Sequence, residues 1–308
     1  MEGIHIPVLL NELVSSIKID KNKQNIIVDC TLGLGGHAKE IINKMHKNDI
    51  FIGFDADIRN LKLATKNLEN INNDVKKIFI NSNYVNLKEE LNKIKINNIT
   101  GIYYDLGISS LHVDEADRGF SFKYDGPLDM RFDTNSGLPA SNIVNTYNEI
   151  ELTKIFSEYG EEPASKKIAK KIIEKRKSGF KFTKTKDLAD LIDEITKFPK
   201  TKARIFQSLR IETNKEIENL KISLKDAINL LETGGSIFII SFHSLEDRVV
   251  KNIFREETKD CLCKDLICTC KHKKNLEIQT KKPIIPTLEE EKINKRSRSA
   301  KARYAIKI

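Results

Sequence analysis

No stretch of this 308-residue chain approaches the roughly 18–20 consecutive apolar residues that a membrane span requires. Its first ten residues also lack the basic segment and continuous apolar core of a secretory leader. The expectation is a cytoplasmic protein with no membrane partner. Cysteine is scarce: five in a chain this long cannot form the disulfide framework of a small secreted domain. No Gly-Lys-Ser/Thr follows the glycine-rich segment near the N-terminus, so a P-loop nucleotide hydrolase is a poor reading. With 39% hydrophobic and 31% charged residues, disordered and collagen-like chains are excluded, and the length suits one large globular domain or two modest ones.

Positive charge is in excess. Lys and Arg number 53 against 44 Asp and Glu, a net +9, which favours an acidic partner such as nucleic acid, although a chain rich in Lys, Asn and Ile throughout owes part of that excess to composition. The distribution is more telling: residues 292–308 hold seven basic side chains and no acidic one, densest from Lys295 to Arg303. The cysteines are also uneven. Cys30 stands alone in an apolar run, whereas Cys261-x-Cys263 and Cys268-x-Cys270 crowd together with His272 behind them. That set is compatible with a tetrahedral zinc or with reduced thiols in a surface loop.

Short apolar runs at 26–30, 50–54, 77–80 and 99–104 read as buried parallel strands. Between them lie helical periodicities at about 36–45, at Leu61/Leu63/Ala64/Leu68 and at Leu87/Leu91/Ile94. This is βαβ repetition and implies a doubly wound α/β sheet. From about 111 to 206 no apolar strand is evident, and Ile155/Phe156/Tyr159, Ile168/Ile172 and Leu188/Leu191/Ile192/Ile195 fall at helical spacing. The expected organisation is a first part at 1–110, a helical insertion at 111–206 and a second part at 207–308. Thr213-x-x-Glu216 reads as a capping box for a helix that stops at Gly234-Gly235. Residues 236–240 then resume the sheet, and 303–308 alternate as its last strand.

Asp29-Cys30-Thr31-Leu32-Gly33-Leu34-Gly35-Gly36-His37 joins the first strand to its helix, where glycines admit a ligand to the backbone and to free helical N–H groups. Gly33-x-Gly35-x-x-Ala38 with Asp55 downstream also fits a dinucleotide site, so an NAD-dependent oxidoreductase is a rival. Asp29, Asp55 and Asp105, however, each end a strand and would line one crevice. Three carboxylates repel a pyrophosphate and suit a sulfonium, an amino group and a ribose diol, the features of S-adenosylmethionine.

Eight separate segments carry a resemblance. They are 5–10 (His-Ile-Pro-Val-Leu-Leu), the glycine loop, Asp105-Leu106-Gly107-Ile108-Ser109-Ser110, Arg118-Gly119-Phe120-Ser121-Phe122, Gly126-Pro127-Leu128-Asp129-Met130-Arg131, Phe206-Gln207-x-Leu209-Arg210-Ile211, Ser241-Phe242-His243-Ser244-Leu245-Glu246-Asp247-Arg248 and Arg296-Ser297-Arg298-Ser299-Ala300-Lys301. In this order and nearly end to end, the chain resembles the RsmH (MraW) family of ribosomal RNA methyltransferases. The resemblance implies a class I (Rossmann-like) S-adenosylmethionine-dependent fold with an inserted helical domain. It also implies methylation of the exocyclic N4 of a cytidine in the decoding centre of 16S ribosomal RNA within the small subunit.

Carried over by position, the resemblance places Gly35, Gly36, His37 and Asp55 on the cofactor, with Asp55 accepting from the ribose hydroxyls. Tyr84 is placed near the adenine, and Asp105 beside the adenine or the methionine end. His112, standing where the family commonly has Gln, is a further cofactor-binding candidate, since its imidazole can donate or accept one hydrogen bond. Asp105 is the first candidate for accepting a proton from the amine and His243 the second. The amino-methyltransferase run of Asp or Asn followed by Pro-Pro-Tyr or Phe is absent, because Leu106-Gly107 follows Asp105. Arg296, Arg298 and Lys301, with Lys295 and Arg303, are candidates for RNA phosphate. Arg131 and Arg210 have ion-pair alternatives. A basic RNA-binding or ribosome-assembly factor with a silent site is the alternative of another class, and a homodimer stays open.

Overall fold

The computed structural model describes residues 7–263, 269–270 and 272–308. His5 and Cys268 therefore lie outside the described residues. The chain divides into two compact units, one formed by the residues up to Gly107 and from Ile217 onward, the other by Ile108–Glu216.

The first unit is built on seven strands: β1 (Ile26–Asp29), β2 (Ile50–Asp55), β3 (Lys76–Asn81), β4 (Ile99–Asp105), β5 (Leu231–Ser241), β6 (Leu276–Ile278) and β7 (Lys301–Lys307). Their order is β3-β2-β1-β4-β5-β7-β6. The first five are parallel, and β7 runs antiparallel to both β5 and β6. The strands read as continuous apolar runs because both faces are covered. Alternate residues of each strand serve opposite cores. Val28, Ile52, Ile102, Tyr104, Ile237 and Ile239 pack with Leu220, Leu224, Val250 and Phe254. Ile27, Phe51, Tyr103, Phe238 and Ile240 pack with Leu13, Ile41, Ile42 and Leu61.

The helices between strands end on local devices. Asp57 caps the Ile58–Leu68 helix by accepting from the Arg59 N–H at 2.9 Å. At its other end the Lys77 ammonium, sent across from β3, donates to the carbonyls of Leu68, Glu69 and Ile71. The chain runs outward from β1 to β2 and β3, then returns to place β4 on the other side of β1. That reversal opens a crevice beyond the carboxyl ends of β1 and β4, where ligands of such sheets bind.

The second unit is helical, with helices at Ala140–Thr146, Glu149–Glu158, Ser165–Lys177, Thr185–Ile195 and Thr201–Asn214. Phe156, Ile168, Ile172, Leu188, Ile192 and Leu209 form its core, at the helical spacings legible in the sequence. Two expectations need correction. Thr213 does not cap a helix; it lies inside Thr201–Asn214, which breaks at Lys215 (φ 51°) before the Glu216–Leu230 helix begins. Glu216 is instead held by Arg210, whose Nε and an Nη donate to its carboxylate at 2.8 and 3.0 Å. That helix also stops at Leu230, before Gly234-Gly235, which lie inside β5.

Candidate active site

Three adjacent strands deliver the three carboxylates to one edge. Asp29, the last residue of β1, pairs in register with Gly53 of β2 and Tyr103 of β4, so Asp55 and Asp105 each stand two residues further along. The glycine loop is fastened to all three strands. Cys30 N–H donates to the Tyr103 carbonyl (3.0 Å), and Leu32 N–H to that of Phe54 (2.8 Å). The Asp105 backbone N–H donates to the Thr31 hydroxyl at 2.6 Å. Gly33 at φ +54° and Gly35 at φ +85° occupy the left-handed region that only glycine adopts without strain. A Cβ on Gly35 would meet the Leu68 side chain at 2.9 Å. Gly35 also begins the Gly36–Lys44 helix without a side chain to cap it, which leaves first-turn N–H groups for a ligand.

Asp55 accepts from the N–H groups of Gly33 and Asp57, both at 2.8 Å. Asp29 accepts from the Thr31 N–H at 2.9 Å. Burial pushes the carboxyls of Asp29, Asp55 and Asp105 each up to about 7, with Asp105 adding to the rise at Asp29 and Glu246 to that at Asp105.

His37 and Asp105 are arranged in detail. The His37 ring is buried, which lowers its pKa to about 4 and keeps it neutral. Its Nε2 is 2.8 Å from the Val8 carbonyl, which can only accept, so the ring proton sits there and Nδ1 carries a lone pair. That lone pair stands 3.5 Å from Asp105 Oδ2 and favours a protonated Asp105, in keeping with its raised pKa. Asp105 Oδ1 is buried with no hydrogen-bond partner among the described residues. An oxygen so placed suits a donor brought by a ligand, and the three carboxylates suit a cation.

His243 closely follows β5, as its sequence position suggests, and its side chain is engaged locally. It is the N-cap of the Ser244–Glu257 helix: its Nδ1 accepts from the Glu246 N–H at 3.4 Å, and its Nε2 is 3.1 Å from Glu246 Oε1. Glu246 returns the cap by accepting from the N–H groups of Phe242 and His243. Its carboxylate is the charge felt by Asp105, a role that sequence reasoning missed. The available signal was its position three residues after the cap. Tyr84 stands in a short turn at Tyr84–Asn86, edge-on to Tyr104 with centroids 5.8 Å apart.

In the second unit, His112 is buried, its ring 4.7 Å from that of Phe120 and 5.3 Å from that of Phe132. Its Nδ1 accepts from the Ser109 N–H at 3.2 Å. Arg131 is paired with Asp129 through two hydrogen bonds of 2.9 and 2.7 Å.

The basic C-terminal segment belongs to the first unit. Because β7 is antiparallel to β5, its first residue, Lys301, pairs with Ser241 at the carboxyl end of the sheet, the edge that carries the carboxylates. Arg296 and Arg298 are exposed on the preceding Lys295–Ser299 turn, while Ser297 between them is buried and donates to the Asn294 carbonyl. Arg303 does not join them. Its guanidinium is bound to Asp247 at 2.6 and 3.1 Å, with both side chains largely buried.

Sheet order, the single antiparallel strand next to last and a carboxylate-rimmed crevice at the switch point define a class I S-adenosylmethionine-dependent methyltransferase. The family model described as the MraW methylase family matches residues 2–308, and the chain belongs to that family. It is 44% identical over 319 residues to ribosomal RNA small subunit methyltransferase H of Clostridioides difficile, covering 100% of both chains. It is 46% identical over 310 residues to the protein of the same name from Caldicellulosiruptor saccharolyticus, covering 99% of each. Among the described residues no helix is long and apolar enough to cross a membrane.

Proposed function

We propose that the chain methylates the exocyclic N4 of a cytidine in the decoding centre of 16S ribosomal RNA, acting on the small subunit. The observation that carries this reading is the row Asp29, Asp55 and Asp105 at the ends of adjacent strands, with Asp105 Oδ1 buried and without a hydrogen-bond partner among the described residues. The relatives' printed name supports ribosomal RNA of the small subunit as the substrate. Three buried carboxylates oppose the pyrophosphate that an oxidoreductase would have to bind.

When bound, S-adenosylmethionine supplies an electrophilic methyl group on a sulfonium centre. Asp55 would accept from its ribose hydroxyls, Tyr84 would lie against its adenine, and the backbone of Gly35, Gly36 and His37 would line the loop that holds it. Asp29 and Asp105 contribute the negative charge. Asp105 would also accept a hydrogen bond from the cytosine amine through Oδ1, localising the nitrogen lone pair, and take up its proton as the methyl group passes from sulfur to nitrogen, the methyl–sulfur bond breaking with its electron pair returned to a neutral thioether. Its pKa near 7 suits that exchange at neutral pH. The His37 Nδ1 lone pair faces the other oxygen and can bind it only in the protonated acid, so the ring favours proton uptake by Asp105, and His243, committed to its cap with Glu246, positions the loop beside Asp105. His112 acts within its own unit by fixing the Ser109 turn that follows Asp105-Leu106-Gly107. Arg296, Arg298 and Lys301 take backbone phosphates at the same edge of the sheet.

The test is transfer of labelled methyl to small subunits that lack the modification, followed by nuclease digestion and mass analysis of the labelled nucleoside. N4-methylcytidine at one decoding-centre position is expected. Label on another base, or on a ring carbon, would overturn the assignment.

A further inference from the structure

The segment between the Ser244–Glu257 helix and β6 holds most of the chain's cysteine. Its ends are tied together: the Asn275 N–H donates to the Glu257 carbonyl at 2.8 Å, and its Nδ2 donates to Glu257 Oε2 at 2.7 Å. Between these ends the sulfurs of Cys261, Cys263 and Cys270 all lie within 4.8 Å of one another, and those of Cys261 and Cys270 are 3.8 Å apart. Two thiolates on one tetrahedral zinc, with Zn–S of about 2.3 Å, stand about 3.8 Å apart. A disulfide would bring them to about 2.05 Å.

Each of the three sulfurs also receives a backbone N–H. Cys263 donates to Cys261 Sγ at 3.3 Å, Leu262 to Cys270 Sγ at 3.4 Å and Thr269 to Cys263 Sγ at 3.3 Å. Such donors favour the thiolate, which is the form that binds metal. The His272 ring is turned elsewhere, with Nε2 3.2 Å from the Glu256 carbonyl.

We propose that Cys261, Cys263 and Cys270 form a thiolate site for a soft tetrahedral cation, zinc by chemistry, which clips this loop. The Ser244–Glu257 helix starts at the carboxyl edge of the sheet and spans about 20 Å at 1.5 Å per residue, so its far end lies well away from Asp105. The ion therefore takes no part in methyl transfer and acts on the stability of the loop.

The experiment is elemental analysis of the full-length protein purified under reducing conditions without chelator, beside the double variant Cys261→Ser/Cys270→Ser. About one zinc per wild-type chain and at least a tenfold loss in the variant are expected. Stripped, reduced wild-type protein titrated with Co2+ should develop thiolate-to-cobalt charge-transfer absorption that the variant lacks, and stripping should speed proteolysis at Lys259. Failure of reduced wild type to bind either metal, or equal binding by the double variant, would overturn the site. So would a Cys261–Cys270 disulfide in protein alkylated at lysis.

Discussion

Asp105→Asn tests the proton acceptor most directly, because the amide reproduces one protonation state of the acid. An Asn side chain can donate to His37 Nδ1 just as the protonated carboxyl does, so the variant is in effect the enzyme frozen in its protonated form. With a pKa of about 7, roughly 90% of Asp105 is ionised at pH 8 and roughly 1% at pH 5. If the ionised form supplies about 100-fold, the low end for a general base, kcat/KM of the wild type should exceed that of the variant about 100-fold at pH 8. At pH 5 the two should agree within a few-fold. Taking the ratio largely cancels Asp29 and Asp55, which titrate in both proteins, although Asp29 loses the neighbouring charge that helps to raise it. The assay is initial-rate methyl transfer to unmodified small subunits at subsaturating substrate between pH 5 and 8.5. A ratio that stays constant across that range would refute the assignment of Asp105 as a titrating acceptor.

Three other substitutions separate the functional elements. Asp55→Ala removes the proposed ribose acceptor and the anchor of the Gly33 N–H, so calorimetry should show cofactor binding weakened about 10–100-fold; unchanged binding would remove Asp55 from the site. Replacing Arg296, Arg298 and Lys301 together by Ala should lower the slope of log affinity for RNA against log salt by about 2–3, and an unaltered slope would take the turn out of RNA binding. Arg303→Ala should instead leave that slope alone and destabilise the fold by about 3 kcal/mol, because it strands a largely buried Asp247 carboxylate; the denaturation midpoint measures it.

The strands that carry the site are legible because parallel strands covered on both faces leave unbroken apolar runs. An aspartate at the end of such a run marks the edge where ligands bind. β6 is not legible: three residues supported by β7 alone give no periodicity to read. The helix break at Lys215 is equally silent, since a lysine in the left-handed region carries no compositional mark, and Thr213-x-x-Glu216 imitates a cap that Arg210 pre-empts. At the site, residue type and position point to Asp105, but whether a polar side chain meets ligand or its own backbone depends on packing. His243 and His112 both spend Nδ1 on local N–H groups, and Arg303 spends its charge on Asp247. The cysteine spacing leaves both zinc and bare thiols open; the sulfur separations and the N–H groups aimed at them, which no spacing reveals, are what the zinc proposal rests on.

The raised carboxylates also couple cofactor binding to pH, and the sign follows from which state holds the proton. In the folded protein Asp29, Asp55 and Asp105 keep protons up to about pH 7, whereas an unfolded chain releases them near 3.8. Stability contributed by these groups is therefore lost as pH rises from about 4 to about 7. A cationic ligand prefers the ionised groups, so its affinity must rise as pH passes through about 7. One obligatory carboxylate with a pKa of about 7 makes binding about tenfold tighter at pH 8 than at pH 6, about 1.4 kcal/mol of added stabilisation at fixed cofactor concentration. The gain in Tm on adding S-adenosylmethionine should be larger at pH 8 than at pH 6. S-adenosylhomocysteine, which lacks the sulfonium charge, should show a weaker pH dependence. Equal dependence for the two ligands would mean that the aspartates do not respond to the sulfur cation, and the electrostatic account of the crevice would fail.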